Sequence, residues 1–316
     1  MTETTTSNAL FDKSSSAGRA GDKVFSSFAL AAGIIILTVL ALVAAFLVSE
    51  SIPALTAGEG ELSGDQKSFW TYVLPLMGGT LIASAIALLL ATPVAVGVAL
   101  FISHYAPRKL SQTIGYVIDL LAAIPSVVYG AWGMATLGPL MVPLFKWLET
   151  YAGWIPLFSG PASSTGRTIL TAGVVLSVMV LPIITSMCRE IFVQTPKLHE
   201  EAALALGATR WEMVKMSVFP FARAGIISAI MLGLGRALGE TMAVTLVLSP
   251  GAFTWNIIGS GNQTIPSEIA LNFPEAFGMR QSELIAAGLV LFVITLAVNM
   301  IARWIVNRHK EFSGAN

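Results

Sequence analysis

Residues 201–220 read EAALALGATRWEMVKMSVFP, a polar island between two long apolar stretches. The pattern is a helix, a glycine elbow and a second helix. Thr195 is placed to cap the first, with Pro196 at its first helical position, where a missing N–H costs nothing. Gly207 suits the left-handed conformation that ends a helix. Thr209 and Glu212 stand three apart, the spacing of a capping box that starts the second helix, and Pro220 marks its end. Such a doubly capped hairpin predicts a docking surface for something in the aqueous phase. An ordinary well-capped loop is the plainer alternative.

Outward from the island the chain is apolar. Of 316 residues, 55% are hydrophobic and 11% charged, far below the roughly 25% charged fraction of soluble domains. Six stretches are long enough to cross a hydrocarbon core of about 30 Å: 24–48, 73–103, 114–137, 169–187, 224–248 and 284–306. The expectation is an all-α membrane protein of about six transmembrane helices, with the hairpin (residues 196–220) between spans four and five. The first stretch is too long for a signal-peptide core and reads as an uncleaved anchor. Residues 1–23 read as a flexible cytosolic tail, and 307–316 as a second one.

Lysine and arginine positions set the orientation. Thirteen fall on one side: Lys13, Arg19, Lys23, Arg108, Lys109, Arg189, Lys197, Arg210, Lys215, Arg223, Arg303, Arg308 and Lys310. Only Lys67, Lys146, Arg167 and Arg280 fall on the other. Both termini and the hairpin are therefore expected in the cytoplasm. Formal net charge is zero, so nothing points to nucleic acid. Cys188 is the only cysteine, and the three histidines show no metal-ligand spacing.

Arg236 and Glu240 lie inside the fifth apolar stretch. A charge at that depth costs about 2.5–3.5 kcal/mol on insertion scales. One helical turn separates the two, so they either neutralise each other as an ion pair or line a solute path. Gly235 and Gly239 form a G-x-x-x-G face that lets another helix approach closely. A guanidinium at that seam suits a tetrahedral oxyanion. Glu240 would repel a fully deprotonated anion yet accept a hydrogen bond from a protonated one, which separates phosphate from sulfate. Asp119 is expected near a helix N-terminus, and Pro125 with Gly130 and Gly133 is expected to loosen the third span.

No G-x-x-x-x-G-K-[ST] phosphate loop and no nucleophile–base cluster occurs, so any energy source lies in another chain. Glu201, Ala202 and Ala203, with Gly207 after three further residues, resemble the EAA loop of ATP-binding-cassette (ABC) importer permeases. The customary I-x-L-P ending is only partly kept, with Ser217, Phe219 and Pro220 at those places. IPSVVYGAWG (124–133) and GRALGETMAVT (235–245) are similar to segments of the phosphate-specific members of that family.

The resemblance implies a type I importer permease fold in a prokaryotic plasma membrane. It implies three protein partners: a second, PstA-like permease, a PstB-like ATPase dimer and a PstS-like phosphate-binding protein outside. Glu201, Ala202, Ala203 and Gly207 would contact the ATPase; Arg236 and Glu240 would meet inorganic phosphate. This chain would hold no cofactor, ATP and Mg being used by the ATPase. A permease for molybdate or sulfate, or a non-transporting sensor or assembly subunit, remains open on the sequence.

Overall fold

The computed structural model describes residues 8–63 and 67–310. Among these, six helical stretches are long and apolar enough to cross a membrane: Gly21–Thr56, Phe69–Tyr105, Ser126–Ala152, Ile169–Val193, Arg210–Gly239 and Met279–Ile305. The chain is a multi-pass, all-α membrane protein.

Its helices are α1 (Asn8–Thr56), α2 (Phe69–Leu100), α3 (Arg108–Ala122), α4 (Ser126–Trp132), α5 (Gly138–Ala152), α6 (Ile169–Val193), α7 (Lys197–Ala205), α8 (Arg210–Met213), α9 (Phe219–Gly239), α10 (Met242–Val247), α11 (Ile265–Asn272) and α12 (Met279–Lys310). The tail expected over residues 1–23 is helical from Asn8, because extending an existing helix costs little once it is nucleated. Residues 1–7 and 311–316 lie outside the described residues. Helix α12 also runs four residues into the segment expected as the C-terminal tail.

Three π turns interrupt the helices, at Phe101–Tyr105, Gly133–Leu137 and Val214–Val218. Each stops two residues before a proline: Pro107, Pro139 and Pro220. In each, the residue before the proline donates its N–H five residues back: Ala106 to Phe101, Gly138 to Gly133, and Phe219 to Val214. Proline lacks a donor and its ring crowds the carbonyl four residues earlier; a wider turn relieves both problems. At Pro139 and Pro220 the helix continues through the π turn, whereas at Pro107 it ends on the extended Ala106. Pro220 therefore does not end the second hairpin helix, as its position suggested. That helix runs through the π turn directly into the fifth span.

The third span is displaced from its expected place. Helix α3 stops at Ala122, since Pro125 cannot donate and Ile124 before it is driven out of the α region. The membrane-crossing stretch begins at Ser126 and continues to Ala152, whereas 114–137 was expected. Asp119 consequently lies in the last turn of α3, at the negative end of the helix dipole, and is exposed.

Helices α2 and α6 form the central pair. Ala83, Ala87, Ala91, Ala95 and Ala99 recur every four residues along α2 and are all buried. A Cβ on Gly173 of α6 would stand 2.5 Å from Ile86 Cγ2, so the two backbones approach closely. Lipid tails are as apolar as the side chains, so such pairs are held by close van der Waals packing of small residues. Helix α9 joins α6 on one side, and α1 packs along α12.

Candidate functional site

The hairpin is built by its caps. Gly207 has φ +85°, and the two bonds of a Schellman motif close α7: Gly207 N–H to the Leu204 carbonyl (3.0 Å) and Ala208 N–H to that of Ala203 (3.2 Å). A Cβ on Gly207 would meet nothing within 4 Å, so only the left-handed backbone demands glycine. Thr209 and Glu212 make the expected reciprocal capping box, with bonds of 3.3 and 2.8 Å. Thr195 does not cap α7. Pro196 takes the N-cap position and the Thr195 hydroxyl is buried without a partner. Of the four EAA-loop positions, Ala203 is buried against the membrane core, while Glu201, Ala202 and Gly207 are exposed. Beside them Leu206 is 86% exposed, Leu198 76% and Trp211 55%. Three large apolar side chains thus stand exposed on a polar hairpin.

The fifth span is discontinuous. Helix α9 ends at Gly239, Glu240 is extended (φ −71°, ψ 124°), and the short α10 restarts at Met242. The break follows directly on Glu240, one turn after Arg236, and no ion pair joins the two among the described residues. Glu240 is only 8% exposed, and its Oε1 accepts the Ala243 N–H at 3.2 Å. The carboxylate thus satisfies one orphan donor at the start of α10, where the helix end is positive.

Arg236 points elsewhere. Leu232, Gly235, Arg236 and Gly239 are all exposed, at the i, i+3, i+4, i+7 spacing of one helix face. A Cβ on Gly235 or Gly239 would find open space. The close packing expected of these glycines therefore does not occur within this chain. Gly233 supplies it instead, 2.8 Å from Ile184 by the same test. Arg236 makes no hydrogen bond or ion pair among the described residues. Tyr129 of α4 is buried. The Tyr129 hydroxyl donates to the Leu121 carbonyl at 2.8 Å, tying α4 to the C-terminal end of α3.

Gly130 and Gly133 also have a role that sequence reasoning misread as loosening. A Cβ on Gly133 would stand 2.5 Å from Val175 Cγ2 and 2.9 Å from Val247 Cγ2, and Gly130 abuts Ala243. Gly130 thus lets α4 press against α10, and Gly133, at the start of the π turn, packs on both α6 and α10. The two interrupted segments pack on each other.

A second charged cluster, at the opposite end of the bundle from the hairpin, gave no sequence signal beyond the isolated Arg280. Arg280 bonds Glu268 Oε1 at 2.6 Å and Glu283 Oε2 at 2.9 Å, and lies 5.0 Å over the ring of Tyr72. The Tyr72 hydroxyl donates to Glu268 at 3.2 Å, and the Ser63 N–H to Glu283 at 2.6 Å. This network fastens α2, α11 and α12 together. Removing one partner from such a buried pair costs about 3–5 kcal/mol.

The chain matches the family model described as binding-protein-dependent transport system inner membrane component over residues 91–311, and it belongs to that family. Phosphate transport system permease protein PstC 2 of Mycobacterium tuberculosis is 44% identical over 315 residues, covering 96% of this chain and 97% of that protein. The PstC protein of Mesorhizobium japonicum is 38% identical over 310 residues, covering 93% and 92%. Among solved structures, a chain of a bacterial ABC transporter for the polysaccharide alginate aligns with TM-score 0.53 at 19% identity. It covers 92% of this chain and 99% of that one. A chain of the MetNI methionine ABC transporter aligns with TM-score 0.51 at 19% identity, covering 75% and 94%. These likenesses establish the type I ABC importer permease fold.

Proposed function

We propose that this chain is one of two membrane-spanning permeases of an ATP-driven importer for inorganic phosphate. The observation that carries the reading is Arg236, a guanidinium at membrane depth on an open face of α9. Such a charge is tolerated only against protein or water. The open glycines beside it leave room for a helix of a second, PstA-like permease, and the anion path runs along that seam. The likeness to phosphate permeases over nearly the whole chain supports phosphate as the anion.

The exposed hairpin is the docking element for a PstB-like ATPase dimer, which binds ATP and Mg; this chain binds no cofactor. Glu201, Ala202 and Gly207 face the ATPase, while Ala203 anchors α7 on the membrane domain. The charge bias places the hairpin and both termini in the cytoplasm of a prokaryotic cell, and a PstS-like protein delivers phosphate from outside. ATP binding displaces the hairpin, the displacement reaches α9 through the π turn, and the seam at Arg236 opens inward. Arg236 holds the anion transiently; Glu240 fixes the break that presents it and reads the proton that phosphate carries and sulfate lacks.

The test is labelled uptake into proteoliposomes holding the full transporter, with phosphate, sulfate and molybdate compared. ATP-dependent accumulation of phosphate alone is expected. Preferential accumulation of another oxyanion, or none at all with the complex intact, contradicts the assignment.

A further inference from the structure

The π turn at the end of α2 carries His104, which faces the first hairpin helix. His104 Nε2 stands 3.4 Å from Glu200 Oε1, and Nδ1 stands 2.7 Å from Ser103 Oγ. The histidine side chain is 8% exposed and that of Glu200 22%. Ser103 Oγ also lies 3.2 Å from the Leu100 carbonyl. Two proton arrangements satisfy these contacts. In a neutral ring the serine hydroxyl donates to Nδ1 and Nε2–H donates to Glu200. In an imidazolium Nδ1–H donates to the serine, whose own proton goes to Leu100. Nε2 carries a proton in both, so either arrangement donates to the carboxylate.

Beneath this link runs a chain of aromatic contacts. His104 meets Phe192 edge-on at 6.4 Å between centroids; Phe192 meets Phe219 at 6.1 Å, and Phe219 meets Trp211 at 6.2 Å. These are favourable edge-to-face arrangements. They connect α2 to the end of α6, the start of α9 and α8. Ser217 Oγ donates to the His199 carbonyl at 3.1 Å, which joins α7 to the π turn before α9. The contacts therefore form a closed ring: α7 to α2 by Glu200–His104, α2 to α6, α9 and α8 by the aromatic rings, and back to α7 by Ser217. Without the His104 contact, α7 stays joined to the π turn before α9 through Ser217 and to the core through Ala203, but loses its hydrogen bond to the end of α2.

We infer that His104 is a positioning residue for energy coupling. Through Glu200 it clamps the first hairpin helix to α2, so that displacement of the hairpin carries α2, α6 and α9 together. Helix α2 is suited to relay that displacement. Its alanine seam locks it to α6, and at its far end the Thr80 hydroxyl accepts the Ile265 N–H at 2.9 Å, reaching the segment that follows α10. The inference rests on the proposed docking role of the hairpin.

The full transporter in proteoliposomes, with phosphate uptake and ATP hydrolysis followed in the same vesicles, provides the test. H104A and E200A are expected to keep the ATPase in the purified complex and to keep hydrolysing ATP. Phosphate imported per ATP should fall at least about fivefold, the lower end of known coupling effects. H104A/E200A should be no worse than the poorer single variant. H104Q, whose amide N–H can meet the carboxylate, should recover most of the ratio. An unchanged ratio in both single variants overturns the inference, as does a double variant whose loss is the product of the two. Should H104A fail to assemble, an unchanged ratio in E200A alone overturns it. Failure of the docking role has a different signature: ATPase that still co-purifies with a chain lacking residues 196–220.

Discussion

A methyl group on Gly130 would stand 2.6 Å from the Cα of Ala243 and 3.0 Å from its carbonyl oxygen. The two interrupted segments of the membrane domain therefore meet backbone to backbone, directly beside the Glu240 break. Neither neighbouring atom belongs to a side chain that can swing away. Gly130→Ala forces α4 and α10 apart, and overpacking of this kind costs about 1–3 kcal/mol. A lower melting temperature of the purified complex and at least about a tenfold loss of phosphate uptake are expected, that factor corresponding to about 1.4 kcal/mol. Wild-type melting and uptake would show that the contact is not needed.

Gly207 presents the opposite case, a glycine required by its backbone and not by its surroundings. Alanine there meets no atom but must hold φ near +85°, at a cost of about 1–2 kcal/mol. Asparagine, which enters the left-handed region more readily, should be milder than alanine, and valine worse than both. Co-purification of the ATPase with each variant gives the order. Equal retention by asparagine and valine would refute the elbow's role in docking.

Glycines on the two faces of α9 should behave differently. Leucine at Gly235 or Gly239 enters open space, so this chain should stay folded, with stability changed by less than about 0.5 kcal/mol. Pairing with the second permease should be lost, as read by pull-down from detergent. Leucine at Gly233 strikes Ile184 and should unfold the chain itself. If Gly235→Leu and Gly239→Leu leave the permease pair intact, the open face is not the seam.

Glu240→Gln separates charge from structure. The amide carbonyl still accepts the Ala243 N–H, so assembly should be unchanged, while the negative charge is gone. Uptake from equal concentrations of phosphate and sulfate should lose its preference for phosphate. An unaltered preference removes the carboxylate as the discriminating group and leaves it the capping role alone.

Local chemistry made the hairpin legible. Gly207, Thr209 and Glu212 each act on backbone groups a few residues away, so spacing alone places them. The apolar runs likewise gave the span count, because length and hydropathy are one-dimensional properties. What was missed depends on proximity in three dimensions. Nothing in the spacing of Arg236 and Glu240 says that the helix stops between them. Nor does Gly-x-x-Gly at 130–133 announce that Ala243 fills its groove. The prolines were visible, but Pro107 and Pro125 each follow the end of a helix, while at Pro139 and Pro220 the helix runs on through a π turn. Only the packing of each segment decides between those outcomes.

Arg236→Ala in the fully reconstituted transporter bears most directly on the whole account. Arg236 is exposed and makes no hydrogen bond or ion pair among the described residues, so the variant should fold, pair and bind its ATPase normally. ATP-driven phosphate uptake should fall to the level of empty vesicles. Uptake at the wild-type rate by that same assembled complex would contradict the account, because the anion would then cross without the guanidinium.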